Sequence, residues 1–350
     1  MSKPTIHDVA QAAGCSIKTV SRVLNGEPKA SPATREKVMA AVAALNYSPN
    51  LSARSLSGLR NYMMAFVLGN NPSESLQNEY ISALQVGAVM AAREAGYHLL
   101  VEPLGMAAEG FEERARRLIA MPAVDGFIFM PGLADNPVLL ELLVQRPGTY
   151  VRVSPGRDVP SVPAMVRIDD YQAAFDITCH LLDLGHRRIA FIQGLPGFGS
   201  AEARFNAFCA AMAPYGGHDP ALLRSGDYRL ASGRQAAESL LSLPEPPTAI
   251  FAANDAMALG AMAVAHRFGI RVPDDLSVAG IDDIPMAAAV WPSLTTVRQP
   301  LVAMGKAAAH YIIARSEGRH DAALPGTFRH ELVARESTAP PAADRLSVQR

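Results

Sequence analysis

The sequence predicts two unlike parts: a small all-helical head, then a large α/β body of two doubly wound parallel-sheet lobes. Three observations carry that prediction. Up to about residue 60, apolar side chains recur at the helical period between capping residues and a turn glycine. From Tyr62 onward, short apolar runs alternate with amphipathic helices, the pattern of parallel strands covered on both faces. Near the middle of the body, Ser154-Pro155-Gly156-Arg157-Asp158-Val159-Pro160-Ser161-Val162-Pro163 breaks the alternation and reads as a crossing between two lobes.

A chain of 350 residues is too long for one ordinary domain. With 49% hydrophobic and 19% charged residues it has the composition of a soluble protein that builds its core without disulfides. Cys15, Cys179 and Cys209 form no CxxC pair, which fits a reducing cytoplasm. The N-terminus lacks a secretory apolar run, and no stretch approaches the roughly 18 apolar residues of a membrane span. A soluble, cytoplasmic protein with no membrane partner is therefore expected. The net charge of −1 hides an asymmetry: residues 1–60 hold eight Lys or Arg against three acids, and the remainder holds 24 against 30. A cationic head on an acidic body fits a protein whose head alone meets a polyanion.

In the head, Thr5 opens a first helix with Asp8 three residues on, a capping-box arrangement. Ile6, Val9, Ala10 and Ala13 form its apolar face, and Gly14 supplies a sharp turn. Ser16 caps a second helix, Ile17 to about Asn25, with Val20, Val23 and Leu24 inward and Ile17, Lys18, Thr19, Ser21 and Arg22 outward. Ser31 and Pro32 start a third helix, whose Val38, Val42 and Leu45 close a small core. Two short helices joined by a glycine-containing turn form the motif that sets its second helix in the DNA major groove; an ordinary helical hairpin has the same periodicity.

In the body, the strands expected first are Met63–Leu68, His98–Val101, Gly126–Met130 and Thr149–Val153. A second set comprises Met165–Ile168, Arg188–Gln193, Ala249–Ala252 and Ser277–Ile281. Helices fall between them, including 78–95 and 171–184. Ligands of such folds bind beyond the carboxyl ends of the strands.

Thr5-Ile6-His7-Asp8-Val9-Ala10 and Gly14-Cys15-Ser16-Ile17-Lys18-Thr19-Val20-Ser21-Arg22-Val23-Leu24-Asn25 closely resemble the DNA-binding head of the lactose-repressor (LacI/GalR) family. Thr34-Arg35-Glu36-Lys37-Val38 and Tyr47-Ser48-Pro49-Asn50-Leu51-Ser52-Ala53-Arg54-Ser55-Leu56 extend the match, with Asn46 where a glycine is usual. The resemblance implies that Ile17, Lys18 and Arg22 face base edges, Arg22 pairing with guanine O6 and N7. Ser16, Thr19, Ser21 and Asn25 would hold phosphates. Asn50, Ala53 and Leu56 would belong to a hinge helix lying in the minor groove, with Leu56 as an unstacking wedge.

The resemblance also implies a core like periplasmic sugar-binding proteins, with return crossings near Trp291–Leu294 and near Pro325. The implied domains are a helix-turn-helix over 1–48, hinge and linker over 49–61, and an effector-binding core over 62–337. Within the core, one lobe takes 62–158 and 294–325 and the other 163–291 and 326–337; residues 338–350 read as a loose tail. Asn254-Asp255-Ala256-Met257-Ala258-Leu259-Gly260 and Ala279-Gly280-Ile281-Asp282-Asp283 match family pocket motifs. Tyr80, Arg204, Tyr228, Asn254 and Asp282 are the implied effector residues, and Asp255 is expected to cap the helix it opens. Arg152 departs from the lactose repressor, which carries an acid there. Placed in the cleft with Arg204, it predicts an effector bearing an acidic or strongly accepting group. The partners implied are operator DNA, a small carbohydrate effector and a second copy of the chain.

No G-x-S-x-G elbow, H-E-x-x-H or P-loop appears, and the nine histidines show no metal-ligand spacing. Gly194-Leu195-Pro196-Gly197-Phe198-Gly199 is glycine-rich after a strand but lacks dinucleotide-site spacing, so it is read as shaping the cleft. The sequence thus predicts a ligand-responsive transcription regulator, most simply a repressor, with no catalytic residue, cofactor or metal. A nucleobase or nucleoside effector, a stand-alone sugar-binding module and a nucleotide-dependent enzyme are the other readings the residues leave open.

Overall fold

The computed structural model of the chain describes residues 4–24, 30–47, 60–69, 78–106, 109–145 and 148–342. It divides into two compact units, Met1–Tyr62 and Met63–Arg350.

The first unit contains α1 (Ile6–Ala13), α2 (Ile17–Leu24) and α3 (Pro32–Ala44). The Asp8 carboxylate accepts from the Thr5 N–H at 2.7 Å and the Thr5 hydroxyl at 2.8 Å, closing the first turn of α1. These two bonds hold the Asp8 carboxyl below the usual range. Gly14 takes the left-handed conformation, φ 62°, that lets the chain reverse into α2. Ser31 caps α3 by accepting from the Thr34 N–H at 3.2 Å. Val9, Ala10, Val20, Val23, Val38 and Ala41 form one core shared by all three helices. Asn46 follows with φ 47°, a conformation asparagine tolerates where glycine is otherwise preferred.

The second unit has two parallel sheets. One is ordered β11-β5-β4-β3-β1-β2, from β1 (Met63–Leu68), β2 (His98–Pro103), β3 (Gly126–Phe129), β4 (Tyr150–Val153), β5 (Met165–Ile168) and β11 (Thr327–Phe328). The other is ordered β7-β6-β8-β9, from β6 (Ile189–Gln193), β7 (Leu223–Ser225), β8 (Ala249–Ala252) and β9 (Ser277–Ala279). Met64 to Leu68 and Ala249 to Ala252 are almost completely buried, as strands covered on both faces must be. In the first lobe, Ala65, Val67, Phe127 and Phe129 pack with Leu118 of α5 (Phe111–Ile119) and Leu139 of α6 (Pro137–Gln145). In the second, Phe191 stacks on Phe208 and tilts against Phe251, both with ring centroids 4.9 Å apart.

Also in the first lobe, α4 (Glu79–Glu94) lies against α12 (Leu301–Ser316) at a glycine crossing. A methyl group on Gly87 would fall 2.0 Å from the Val302 carbonyl oxygen, and one on Gly305 would fall 2.0 Å from that of Leu84. Gly305→Ala is therefore expected to cost about 1–3 kcal/mol by forcing the backbones apart. Urea unfolding of the variant with a parent-like midpoint would contradict this packing.

Strand pairing corrects the expected lobe boundaries. Arg152 pairs with Met165 and Val153 with Val166, so the loop 154–163 stays inside the first lobe instead of crossing out of it. The chain first leaves that lobe between β5 and α7 (Asp170–Asp183), which packs on α8 (Gly199–Met212) of the second. It returns between β10 (Thr296–Arg298) and α12, not near 291–294, because Gly280 N–H donates to Thr295 O and Asp282 N–H to Val297 O. The last crossing falls between β11, paired with β5, and β12 (Glu331–Val333), which runs antiparallel to β10. Alternation of strand and helix reveals layers but not which sheet a short strand joins.

The start of the expected tail is also docked. Thr338 Oγ1 lies 3.0 Å from His180 Nε2, and Ala339 N–H donates to Ser277 Oγ at 3.0 Å. The buried His186 ring spans Thr248, Ser277 and the Ala339 carbonyl, fixing this segment to β9, the edge of the second sheet.

Candidate functional site

In the head, α2 sorts its side chains as its period requires. Val20 and Val23 turn inward; Ser16, Ile17 and Lys18 are exposed, and Thr19, Ser21 and Arg22 are half-buried. Ile17, Lys18, Ser21 and Arg22 therefore share one outward side, at positions i, i+1, i+4 and i+5. Ser16 Oγ accepts from the Thr19 N–H at 3.1 Å and lies 2.9 Å from Thr19 Oγ1, so these expected phosphate ligands also cap the helix. The expected Asn25, Asn50, Ala53 and Leu56 lie outside the described residues.

In the larger unit, one cavity of about 660 Å³ is lined by Tyr80, Arg204, Tyr228, Asn254 and Asp282, five of the six residues expected to meet an effector. The strands explain the convergence. Tyr228, Asn254 and Asp282 follow β7, β8 and β9, while Arg204 projects from α8 after β6. All four therefore gather beyond the carboxyl ends of one sheet. Tyr80, in the first turn of α4, closes the cavity from the other lobe, its hydroxyl 2.7 Å from Ser154 Oγ.

Arg204 is buried. Its Nε and Nη2 donate to Asp170 Oδ1 at 2.9 and 2.6 Å, and its Nη1 donates to the Ala253 carbonyl. Burial opposes its charge, but Asp170 and Asp282 outweigh that and raise its pKa. Of the five N–H donors of a guanidinium, three are thus engaged and the rest remain for a ligand. Asn254, not the expected Asp255, is the N-cap of α10 (Asp255–Arg267), accepting from the Met257 N–H at 3.1 Å. Its amide also donates to the Tyr228 carbonyl at 3.1 Å, holding that residue at φ 67°. Asp282, at φ 129°, accepts from Gln299 Nε2 at 2.7 Å. Backbone strain of this kind persists where surrounding contacts over-determine it. Burial pushes its carboxyl well up, against the opposing pull of Arg204.

Asp255 lies behind the site, fully buried, accepting from Thr296 Oγ1 at 2.5 Å and the Ile284 N–H at 3.0 Å. Burial pushes its carboxyl up to about 7, offset only in part by those two donors. The folded protein then keeps this proton up to near neutrality, whereas the unfolded chain releases it near pH ~4. Its contribution to stability is complete below pH ~4 and is lost as pH rises towards 7. Asp255→Asn is expected to flatten part of that slope. Denaturant titrations at several pH values test this; equal slopes in variant and parent would contradict it.

Arg152 is the exception among the expected cavity residues. It is completely buried and turned away, donating to the carbonyls of Val162, Ala134 and Arg157 at 3.1, 3.3 and 3.1 Å. Three backbone acceptors capture the guanidinium once the loop 154–163 folds back over β4, and the reason for expecting an acid-bearing effector goes with it. The sequence reading missed Phe198, Met106, Met130 and Glu79, all of which line the cavity. The Phe198 ring stands 5.8 Å from that of Tyr228, and Glu79 presents a buried carboxylate oxygen without a partner among the described residues. The glycine-rich loop read as shaping the cleft was the available signal for Phe198. No group of three or more His, Cys, Asp or Glu placed to hold a metal occurs among the described residues, and no described helix is long and apolar enough to cross a membrane.

Comparison with known proteins adds to this geometry. Residues 5–50 match the family described as bacterial regulatory proteins, lacI family, and residues 178–338 match a periplasmic binding protein-like domain. The chain is 36% identical to the HTH-type transcriptional regulator DegA of Bacillus subtilis (strain 168), over 97% of this chain and 99% of that protein. Among solved structures, it resembles a transcriptional regulator CelR–cellobiose complex with TM-score 0.70 and 31% identity, covering 95% of this chain and 99% of that one. It also resembles the lac repressor dimer bound to operator and the anti-inducer ONPF, with TM-score 0.79 and 28% identity over 97% and 100% of the two chains.

Proposed function

The chain belongs to the lacI family of bacterial regulatory proteins, and from that premise we propose that it is a repressor controlled by a sugar or sugar derivative. It is a DNA-binding transcription regulator and not an enzyme. In this reading it works in the cytoplasm as a homodimer, presenting two heads to a near-palindromic operator.

One observation carries the effector reading: Arg204, Asn254 and Asp282 meet Tyr80 and Tyr228 around a single cavity. A carboxylate and the remaining guanidinium N–H groups suit paired hydroxyls, and aromatic rings suit the apolar C–H face of a sugar. The cavity's size lies in the usual range for small-molecule sites. The cellobiose of the related CelR complex supports the same class. A nucleoside is the second reading, favoured by the neighbouring Phe198 and Tyr228 rings, on which a base could stack.

Exposed apolar side chains support the homodimer. Val86 and Met90 on α4, Val302 on α12 and Trp291, which is 85% exposed, offer surface that a second copy would cover. The related lac repressor was solved as a dimer on its operator. Effector binding would bias the angle between the lobes and so respace the heads. A coupling of about 1–3 kcal/mol changes occupancy several-fold to about a hundred-fold.

A thermal-shift screen of carbohydrates and nucleosides, followed by operator binding with each hit, tests the proposal. A carbohydrate that raises Tm and shifts operator affinity is expected. A response to nucleosides alone would select the second reading, and hits that leave operator affinity unchanged would contradict regulation through this cavity.

A further inference from the structure

The loop 154–163 and the buried Arg152 remain without a role, and the glycine-rich loop 194–199 has one only through Phe198 at the cavity. They meet in one place. Gly156, in a first-lobe loop, lies backbone to backbone on Gly199, the first residue of α8 in the second lobe. A methyl on Gly156 would fall 2.1 Å from Gly199 Cα, and one on Gly199 would fall 2.0 Å from Gly156 Cα. Beside them is Asp135, at the end of the first-lobe turn Leu133–Asp135. Its Oδ2 accepts from the Gly156 N–H at 2.8 Å and would lie 2.9 Å from a methyl on Gly199. Its Oδ1 is buried without a hydrogen-bond partner among the described residues.

Phe198 crosses the same gap. A methyl on Gly132 of the first lobe would lie 2.6 Å from Phe198 Cζ. Arg152 ties the platform together by bonding the carbonyls of Ala134, Arg157 and Val162, and Arg157 Nη2 donates to the Asp135 carbonyl at 3.0 Å.

We propose that this contact is an interlobe latch: loop 194–199 seats on a platform of Gly132, Asp135 and Gly156, and effector binding reaches the heads by making or breaking that seat. The inference rests on the regulator reading above. Backbones this close are either in contact or apart, since a gap of about 0.5–1 Å already forfeits a quarter to a half of the dispersion attraction. The Asp135 carboxylate faces the positive end of the α8 dipole only while the lobes are closed. Phe198 lines the cavity as well as the seat, so a ligand touches the latch directly. Arg152 acts as a positioning residue for the platform, which accounts for an arginine where a ligand contact was expected.

The test uses the full-length protein, with Gly156→Ala, Gly199→Ala and Asp135→Asn as probes. Gly326→Ala is the control, since a methyl there meets only the Met165 carbonyl oxygen at 3.7 Å and a Met165 side-chain atom at 4.0 Å. Amide hydrogen exchange is read at 132–136 and 198–201, and affinity is read on a duplex selected from random DNA with the parent protein. Each probe is expected to speed exchange about tenfold in both segments, and the glycine variants to move duplex affinity about fivefold or more, the control doing neither. Three outcomes would overturn the latch. These are unchanged exchange at 198–201 in Gly156→Ala, acceleration spread equally through β3 and β6, or unchanged affinity with both segments freed. A parent that selects no duplex strikes the regulator reading itself, while the exchange arm still judges the contact.

Discussion

Arg204→Ala is expected to destabilise the larger unit by about 3–5 kcal/mol and to abolish its response to effector. The side chains of Arg204 and Asp170 are only 5% and 7% exposed, so solvent screens the pair little. Removing the guanidinium leaves a buried carboxylate without its cation and strips the Ala253 carbonyl of its donor. Arg204→Lys keeps a charge but offers no planar fork, and is expected to recover part of the stability without recovering the response. Urea titration, with thermal shift in the presence of a screened sugar, reads both effects. A loss below about 1 kcal/mol, the size typical of a surface ion pair, would contradict this role for the buried pair.

Arg22→Ala is expected to cost about 1–3 kcal/mol per half-site and to relax preference at one base pair of each. Two heads on a palindrome double that penalty, to about 2–6 kcal/mol for the dimer. The loss should differ between operator variants, because the proposed bidentate guanine contact would read sequence, whereas the phosphate contacts proposed for Ser16 and Thr19 would not. Binding measured across single-base operator variants tests this. A uniform loss would move Arg22 to the phosphates, and no loss would remove it from the interface.

Much of this was legible because local chemistry agreed with the fold. Thr5 with Asp8, Gly14 and Ser31 mark helix ends in the sequence and act at those ends in the structure. The apolar runs became the main strands with edges moved by a few residues, and the short strands β7, β11 and β12, two or three residues each and partly exposed, went unseen. Of the six expected effector residues, Arg204, Tyr228, Asn254 and Asp282 converge because they lie beyond the strand ends of one sheet, where the fold places ligands.

What stayed hidden depended on partners distant in sequence. The proline-rich loop 154–163 looked like a crossing because nothing local shows that the strands on either side pair with each other. Arg152 looked like a ligand contact because its three acceptors appear only once that loop folds over it. Asn254 and Asp255 are equally good caps on paper. Asp255 is diverted by Thr296 and Ile284, which come from more than twenty residues away.

Selecting random DNA with the purified protein shows whether the exposed side of α2 reads a duplex under control of the larger unit. Enrichment of a near-palindromic site whose affinity shifts when a sugar occupies the cavity is expected. Equal retention of all duplexes, with and without small molecules, would contradict it.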